Sequence, residues 1–444
     1  MRERYAPGTM AIDTEKIGNY LPGVAVPSEE GLNLCTHCGL CLNACPTYRV
    51  IGNEIDSPRG RIFMMRQVRE EQMPLNELVA EHLYVCLDCR ACETACPSGV
   101  PYGELVEAAR AQVEAAGLTP RTWRLSRWLF NVLVLPRPWL TRLIFFVPRL
   151  YARFPWRAAV RRLLPRKLRA FEASLPEPRA ALPVQEAQSR LMPVSASATS
   201  ASRPPAGAKA MALTGCVMEA MLPHLNRATE SVLRKAGYTL APAHTGCCGA
   251  LNVHAGERRE AQRMAKALIE SFEDSGADYF VSNSAGCGAQ LKEYDRLFDA
   301  GDPWHERART FATHVLDLSQ AVAPRMVPPK HTLEAKVTYQ DACHLAHAQK
   351  IRTEPRVLVQ AAAGTNFCEL GNDQCCGSAG VYNFTHPEMS NELLRQKLEQ
   401  IEATGAELVV TGNPGCLMQL RRGVAERGMN VDVRHIAEVL DATL

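Results

Sequence analysis

The sequence predicts an α+β chain in which a small helical module precedes two homologous α/β halves. Three observations predict it: a compact cysteine run returns after 51 positions, a wider-spaced cysteine set returns after 127 to 129 positions, and β-rich runs alternate with helical patterns around that second set.

The first repeat sets the N-terminal module, expected over residues 25–120. Cys35, Cys38, Cys41, Cys45 and Pro46 recur as Cys86, Cys89, Cys92, Cys96 and Pro97. Cys-x2-Cys-x2-Cys-x3-Cys-Pro is the ferredoxin-type run in which three thiolates wrap one cubane and the fourth ligates the other cluster of a pair. Two copies therefore imply two 4Fe-4S clusters with exchanged ligands: Cys35, Cys38, Cys41 and Cys96 on the first, and Cys86, Cys89, Cys92 and Cys45 on the second. Gly39, Ala44, Ala91 and Ala95 leave room for inorganic sulfide and for amide donors. Zinc modules place longer loops between their ligand pairs, which makes zinc the poorer reading. His37 falls between ligands already complete in cysteine and reads as a neighbour behind the ligands or as solvent-facing.

Residues 121–176 form a different kind of segment. Residues 121–170 carry 13 Arg or Lys and no Asp or Glu, leaving 37 basic against 47 acidic residues elsewhere, and they hold Trp123, Trp128, Trp139 and Trp156, four of the five tryptophans. The apolar runs NVLVL and LIFFV are interrupted by Pro136, Pro138, Pro148, Arg137 and Arg142, so a spanning helix is not expected. Tryptophan and arginine around short apolar runs suit a membrane interface, and the segment reads as peripheral contact with the inner face of the cell membrane. An acidic partner chain is the competing occupant, and nucleic acid is not expected as a partner. Residues 177–210 are rich in Pro, Ala and Ser and read as a flexible linker.

The second repeat spans the expected halves, 211–325 and 335–444. Cys216, Cys247, Cys248, Gly249 and Cys287 recur as Cys343, Cys375, Cys376, Gly377 and Cys416. The runs AMALTG, YTLAPA, DYFVSN, KVTYQD and ELVVTG read as strands of mainly parallel sheets, and most of the cysteines directly follow such a run. Ligands of open α/β sheets gather at the C-terminal strand ends, so the four thiols of each half should converge. Four such sulfurs suit a further iron-sulfur cluster or zinc, with buried free thiols as the alternative. Cys368 has no counterpart and reads as structural; His244, His254, His344 and His347 read as hydrogen-bonding neighbours of the motifs. No G-x-G-x-x-G follows a strand, so no flavin is expected on this chain. The 17 cysteines without an apolar leader in the first 30 residues point to a cytoplasmic, reducing location.

The stretches CTHCGLCLNACPTYRVIGNEIDSPRGRI, CLDCRACETACPSGVPYGEL, GCCGALNVH, SAGCGAQLKEY, CHLAHAQK and CCGSAGVYNFTHPE together resemble the iron-sulfur subunits of glycolate oxidase (glycolate dehydrogenase), within the wider family that joins ferredoxin modules to CCG domains. The resemblance implies a non-catalytic electron-transfer subunit: FAD-binding partner subunits oxidise glycolate to glyoxylate, and this chain carries the electrons toward a respiratory quinone or another acceptor. A related lactate or glycerol-3-phosphate dehydrogenase is the nearest alternative. Relatives that reduce disulfides close each CCG domain with Cys-x2-Cys; Ser284 and Asn413 stand where the first of those cysteines would be, which weakens a disulfide-reductase reading.

Overall fold

The computed structural model describes residues 17–120, 207–243, 246–325 and 327–444, with 123–125, 129, 133–134, 137–151, 160, 163, 182–186 and 205 in between. The architecture is mixed helix and sheet, a helical module followed by two halves with parallel sheets.

Six α-helices, Glu29–Asn33, Pro46–Ile51, Pro58–Arg69, Glu77–Val85, Ala91–Ala95 and Tyr102–Ala115, build the module. Their starts are written in the sequence. Pro46 and Pro58 open helices where a missing N–H costs nothing. Ser28, Ser57 and Asn76 accept first-turn amides of the helices they precede, from Gly31, Gly60 and Val79. Leu32, Ile62, Met65, Val68, Leu83, Leu105 and Val113 bury together and fix the loops that carry the cysteines. The module starts earlier than residue 25. The Tyr20 hydroxyl donates to the Met65 carbonyl at 3.0 Å, and the Leu21 amide donates to Gln112 Oε1 at 2.7 Å.

The strands in chain order are β1 (Val184–Glu186), β2 (Lys209–Ala212), β3 (Thr239–Leu240), β4 (Tyr279–Ser282), β5 (Val315–Asp317), β6 (His331–Leu333), β7 (Val337–Gln340), β8 (Phe367–Cys368), β9 (Leu408–Thr411) and β10 (Asp432–His435). The first half is a parallel sheet in the order β3-β2-β4-β5, and the second repeats it as β8-β7-β9-β10. In both, the chain leaves the founding strand toward one side and returns on the other. That reversal opens a crevice at the C-terminal strand ends. One buried cluster spans the halves, from Ala210, Val232 and Val281 to Val337, Val359, Val410 and Leu440.

Part of the stretch expected to be a flexible linker is ordered. β1 pairs antiparallel with β6, Val184 opposite Leu333, and Leu182 and Val184 pack on the shared core. Backbone pairing and two apolar side chains are enough to hold it, a signal that low overall hydrophobicity conceals. β2 likewise begins at Lys209, inside that range. The remainder of 177–210 lies outside the described residues apart from 205, 207 and 208.

Within the basic segment, Pro138–Tyr151 is a helix that continues through Pro148. Trp139, Leu143, Ile144, Phe146 and Leu150 are exposed on it. Among the described residues, no helix is long and apolar enough to cross a membrane. Trp128, Trp156 and all the arginines from Arg153 to Arg169 lie outside the described residues.

Candidate metal centres

Both copies of the short motif fold into the same turn. His37 and Asp88 have φ of 55° and 53°, and Gly39 and Arg90 have 83° and 58°, each pair 51 positions apart. Left-handed backbone is uncommon outside glycine, so its recurrence at matched positions marks a loop shaped around something. The closing cysteines match as well, Cys45 at φ −83°, ψ 117° and Cys96 at φ −86°, ψ 115°.

Two small cavities lie inside these turns. Cys35, Cys38, Cys41 and Cys96 line the first, with Arg59 at its edge. Cys45, Cys86, Cys89 and Cys92 line the second, with Arg61 and Arg90. Cys92 also reaches the first cavity. The closing cysteine of each motif thus faces the cavity of the other. Cys38 is exposed, whereas all four cysteines of the second cavity are buried.

The surroundings fit an anionic sulfur cluster. Every cysteine is a free thiol, and the second cavity's lining contains no carboxylate or imidazole. Arg61 is wholly buried beside Cys45 and Cys86, its Nε donating to the His82 carbonyl at 2.6 Å and its Nη atoms to Thr47 Oγ1 at 3.2 and 3.3 Å. Burial pushes the Cys89 and Cys92 thiols well up, so bare thiolates are disfavoured there and a metal or cluster sharing their charge would favour the ionised form. A fixed cation next to them offsets that charge and tunes the site.

The eight remaining motif cysteines share one cavity. A chamber of about 250 Å³ between the halves and the helical module is lined by Cys216, Cys247, Cys248, Cys287, Cys343, Cys375, Cys376 and Cys416. They meet there because each follows a strand end at the crevice of its sheet. Gly249 and Gly377 adopt φ of 78° and 82° and turn their amides onto Cys247 Sγ at 3.5 Å and Cys375 Sγ at 3.4 Å. Sulfurs approach closely, Cys216 to Cys247 at 3.4 Å and Cys376 to Cys416 at 3.2 Å. Hydrogen bonds from Cys216, then Cys248, hold Cys247 well below the usual thiol range. Ser284 Oγ and Asn413 Oδ1 lie 3.4 Å apart across the pseudo-symmetric interface, and Asn413 Nδ2 donates to Cys416 Sγ at 3.6 Å. These two positions support the sulfurs through oxygen and nitrogen and add no thiolate. Cys368, away from the chamber lining, points its thiol at the Val337 carbonyl, 3.4 Å away.

The second short-motif cavity abuts this chamber. Cys89 packs in one buried cluster with Cys375, Tyr382 and Cys343. His344 Nε2 donates to the Asp88 carbonyl at 2.9 Å, and its ring stacks on His254 at 5.3 Å. His254 Nδ1 donates to Asp88 Oδ2 at 3.0 Å and Glu107 Oε1 at 3.1 Å; although burial opposes its charge, these carboxylates raise its pKa to about 9. Arg90 clamps Glu293 at 2.6 and 2.8 Å and reaches Glu107 at 3.2 Å. Asp88, Glu107 and His254 resemble a cation site in spacing, but Arg90 already sits against Asp88 and Glu107, so the group is a salt-bridge network joining the module to the first half. His347 pairs with Thr94 at 2.9 Å. His37 packs edge-on against Phe63, and His244 lies outside the described residues.

Comparison with known proteins places these features. The 4Fe-4S dicluster domain family matches residues 31–100, and the cysteine-rich CCG domain family matches 210–292 and 337–421. The chain is 38% identical over 423 residues to a probable glycolate oxidase iron-sulfur subunit of Bacillus subtilis, covering 91% of this chain and 92% of that one. It is 31% identical to the glycolate oxidase iron-sulfur subunit of Escherichia coli, over 95% and 96% of the two chains. The chain belongs to the family of glycolate oxidase iron-sulfur subunits. Lactate utilization protein A of Bacillus subtilis is 30% identical over 231 residues, 51% of this chain. Membership makes the chain an iron-sulfur, electron-transferring subunit of an oxidoreductase rather than its catalytic part.

For this family member, sequence reasoning missed the groups that join the modules. Arg90 and Glu293 are 203 residues apart, and nothing in either local pattern announces the other. Arg61 lies on an ordinary helical face and reveals itself only through its complete burial.

Proposed function

We propose that the chain is the electron-relay subunit of a glycolate-oxidising complex, carrying electrons from a flavoprotein partner toward a membrane quinone. The reading rests on one observation above all: three thiol-lined cavities are contiguous, from the exposed Cys38 through the buried Cys89 to the chamber at Cys343 and Cys375. In this reading Cys35, Cys38, Cys41 and Cys96 hold one 4Fe-4S cluster, and Cys86, Cys89, Cys92 and Cys45 hold the other. The eight chamber thiols hold further iron-sulfur or zinc. Such clusters supply one-electron couples. The chain's own residues do the rest: burial excludes water, Arg61 offsets thiolate charge, the Tyr102 hydroxyl donates to Cys86 Sγ at 3.6 Å, and the Arg90 network fixes the module against the first half. The units of the relay are the module up to residue 120 and the halves 209–325 and 335–444.

The purified chain is expected to show no glycolate oxidation alone and to confer glycolate-dependent quinone reduction when combined with its flavoprotein partners. Activity with glycolate in the absence of any flavoprotein would defeat the relay reading. Lactate in place of glycolate as the substrate of the assembled complex would keep the relay and replace the donor, an outcome to which the similarity to lactate utilization protein A gives weight.

In the same reading the chain sits at the cytoplasmic face of the cell membrane through helix Pro138–Tyr151, whose exposed Trp139, Leu143, Ile144, Phe146 and Leu150 face no other described part of the chain closely enough to bury them. The double variant Leu143→Glu, Phe146→Glu is expected to reduce co-pelleting with phosphatidylglycerol vesicles at least about tenfold, since each buried side chain is worth roughly 1.5–3 kcal/mol. Undiminished pelleting would remove the membrane from the account.

A further inference from the structure

The chamber has a wall that is not sulfur. Tyr382 shares a buried cluster with Cys89 and Cys375. Its ring stacks on His386 with centroids 4.5 Å apart and planes 16° from parallel, and His386 in turn meets Trp123 edge-on at 5.9 Å and 77°. Leu251 and Val381 complete this side of the lining. A row of flat rings therefore leads away from Cys375, and none of them has a part in holding a metal.

The polar groups of this wall are nearly all committed. The Tyr382 hydroxyl donates to the Val85 carbonyl at 2.7 Å, and Thr385 Oγ1 pairs with His386 Nδ1 at 2.9 Å. Nε2 of His386 makes no hydrogen bond among the described residues, yet its ring lines the chamber. Burial, with Arg110 nearby, lowers the His386 pKa to about 4, so the imidazole is neutral; Thr385 Oγ1 can donate to Nδ1, which leaves the ring proton on Nε2 to donate to a ligand. An apolar, aromatic slot with one convergent polar atom is the usual make-up of a site for a flat organic ring. Helix Pro138–Tyr151, the proposed membrane contact, packs on Cys216–Met221, whose Cys216 and Met218 line the same chamber.

We propose that this wall is the binding site for the headgroup of a membrane quinone, its ring against Tyr382, His386 and Trp123 and one of its oxygens at Nε2 of His386. The isoprenoid tail leaves toward helix Pro138–Tyr151. The assignment rests on the reading of a quinone as the acceptor and adds where it binds. Its redox balance is simple: two electrons from the relay and two protons from water convert the two quinone carbonyls to hydroxyls, the relay is reoxidised, and no bond to the protein forms or breaks.

The test uses the full chain, purified anaerobically with its metal content intact, and an azido-ubiquinone carrying a short tail as photolabel, with decylubiquinone as competitor. Label is expected in the peptide 357–395, which carries Tyr382 and His386, and decylubiquinone should suppress it. His386→Ala should weaken that competition by about 3- to 10-fold, the range for one hydrogen bond. His386→Gln, which restores a polar atom, should recover most of the loss, and both variants should keep the parent iron content. Label suppressed by competitor but mapping elsewhere, or unchanged competition in His386→Ala at unchanged iron content, would overturn the site. If the complex assembled with its flavoprotein still reduces decylubiquinone in either case, the acceptor reading survives and only the site falls. If that complex reduces no quinone and no specific label forms, the acceptor reading falls with it.

Discussion

Cys96→Ser is expected to lose the first iron site and spare the second, although Cys96 belongs to the second motif. About four irons and four sulfides per chain should disappear. What remains should resist chelation, because Cys45, Cys86, Cys89 and Cys92 are all buried. Cys45→Ser should give the mirror result: a similar loss of iron, with a residue that chelator strips quickly through the exposed Cys38. The reason is geometric. Cys96 lines the cavity of Cys35, Cys38 and Cys41, and Cys45 lines that of Cys86, Cys89 and Cys92. Iron loss measured with a visible chelator on the two variants separates this crossed arrangement from one in which each motif closes on itself, for which the two chelation rates would be exchanged.

Arg90→Met should destabilise the chain by about 3–5 kcal/mol, the range for stranding buried partners of a broken ion pair. Arg90 is buried and faces Glu293, Glu107 and Asp88 at once, at 2.6, 3.2 and 3.8 Å. Burial opposes the charge on Glu293, but Arg296 and Arg90 hold its carboxyl below the usual range; removing Arg90 takes away part of that support. The loss should appear as a lowered urea midpoint and as faster proteolytic separation of the module from the first half. Adding Glu293→Gln to Arg90→Met should recover part of it, since one stranded charge is gone. A midpoint unchanged in Arg90→Met would show that the modules are held by something other than this network.

Much of the fold was legible because it is written twice. The repeated cysteines announced two short loops and two long halves, and the β-rich runs before Cys216, Cys287, Cys343 and Cys416 are strands at or next to the expected places. The convergence of the four long-repeat thiols within each half followed from strand ends sharing an edge. What the sequence did not show is that both quartets enter one chamber. That depends on how two sheets face each other, and the apolar residues that decide it, such as Val232, Val359 and Leu440, look like any helical core. The pairing of β1 with β6 was hidden for a different reason: three residues of backbone hydrogen bonding leave almost no compositional trace. The aromatic wall was equally silent, since Trp123 and His386 lie 263 positions apart in unremarkable stretches and meet only as an edge contact.

The central claim is that paired thiol quartets hold two cubane clusters in line with the chamber. Metal and acid-labile sulfide analysis of the anaerobically purified full chain, with low-temperature EPR of the reduced protein, tests it most directly. The account predicts at least about eight irons with matching sulfide and a reduced spectrum broadened by interaction between two neighbouring centres. Zinc without labile sulfide, or a single uncoupled centre at full iron occupancy, would contradict it.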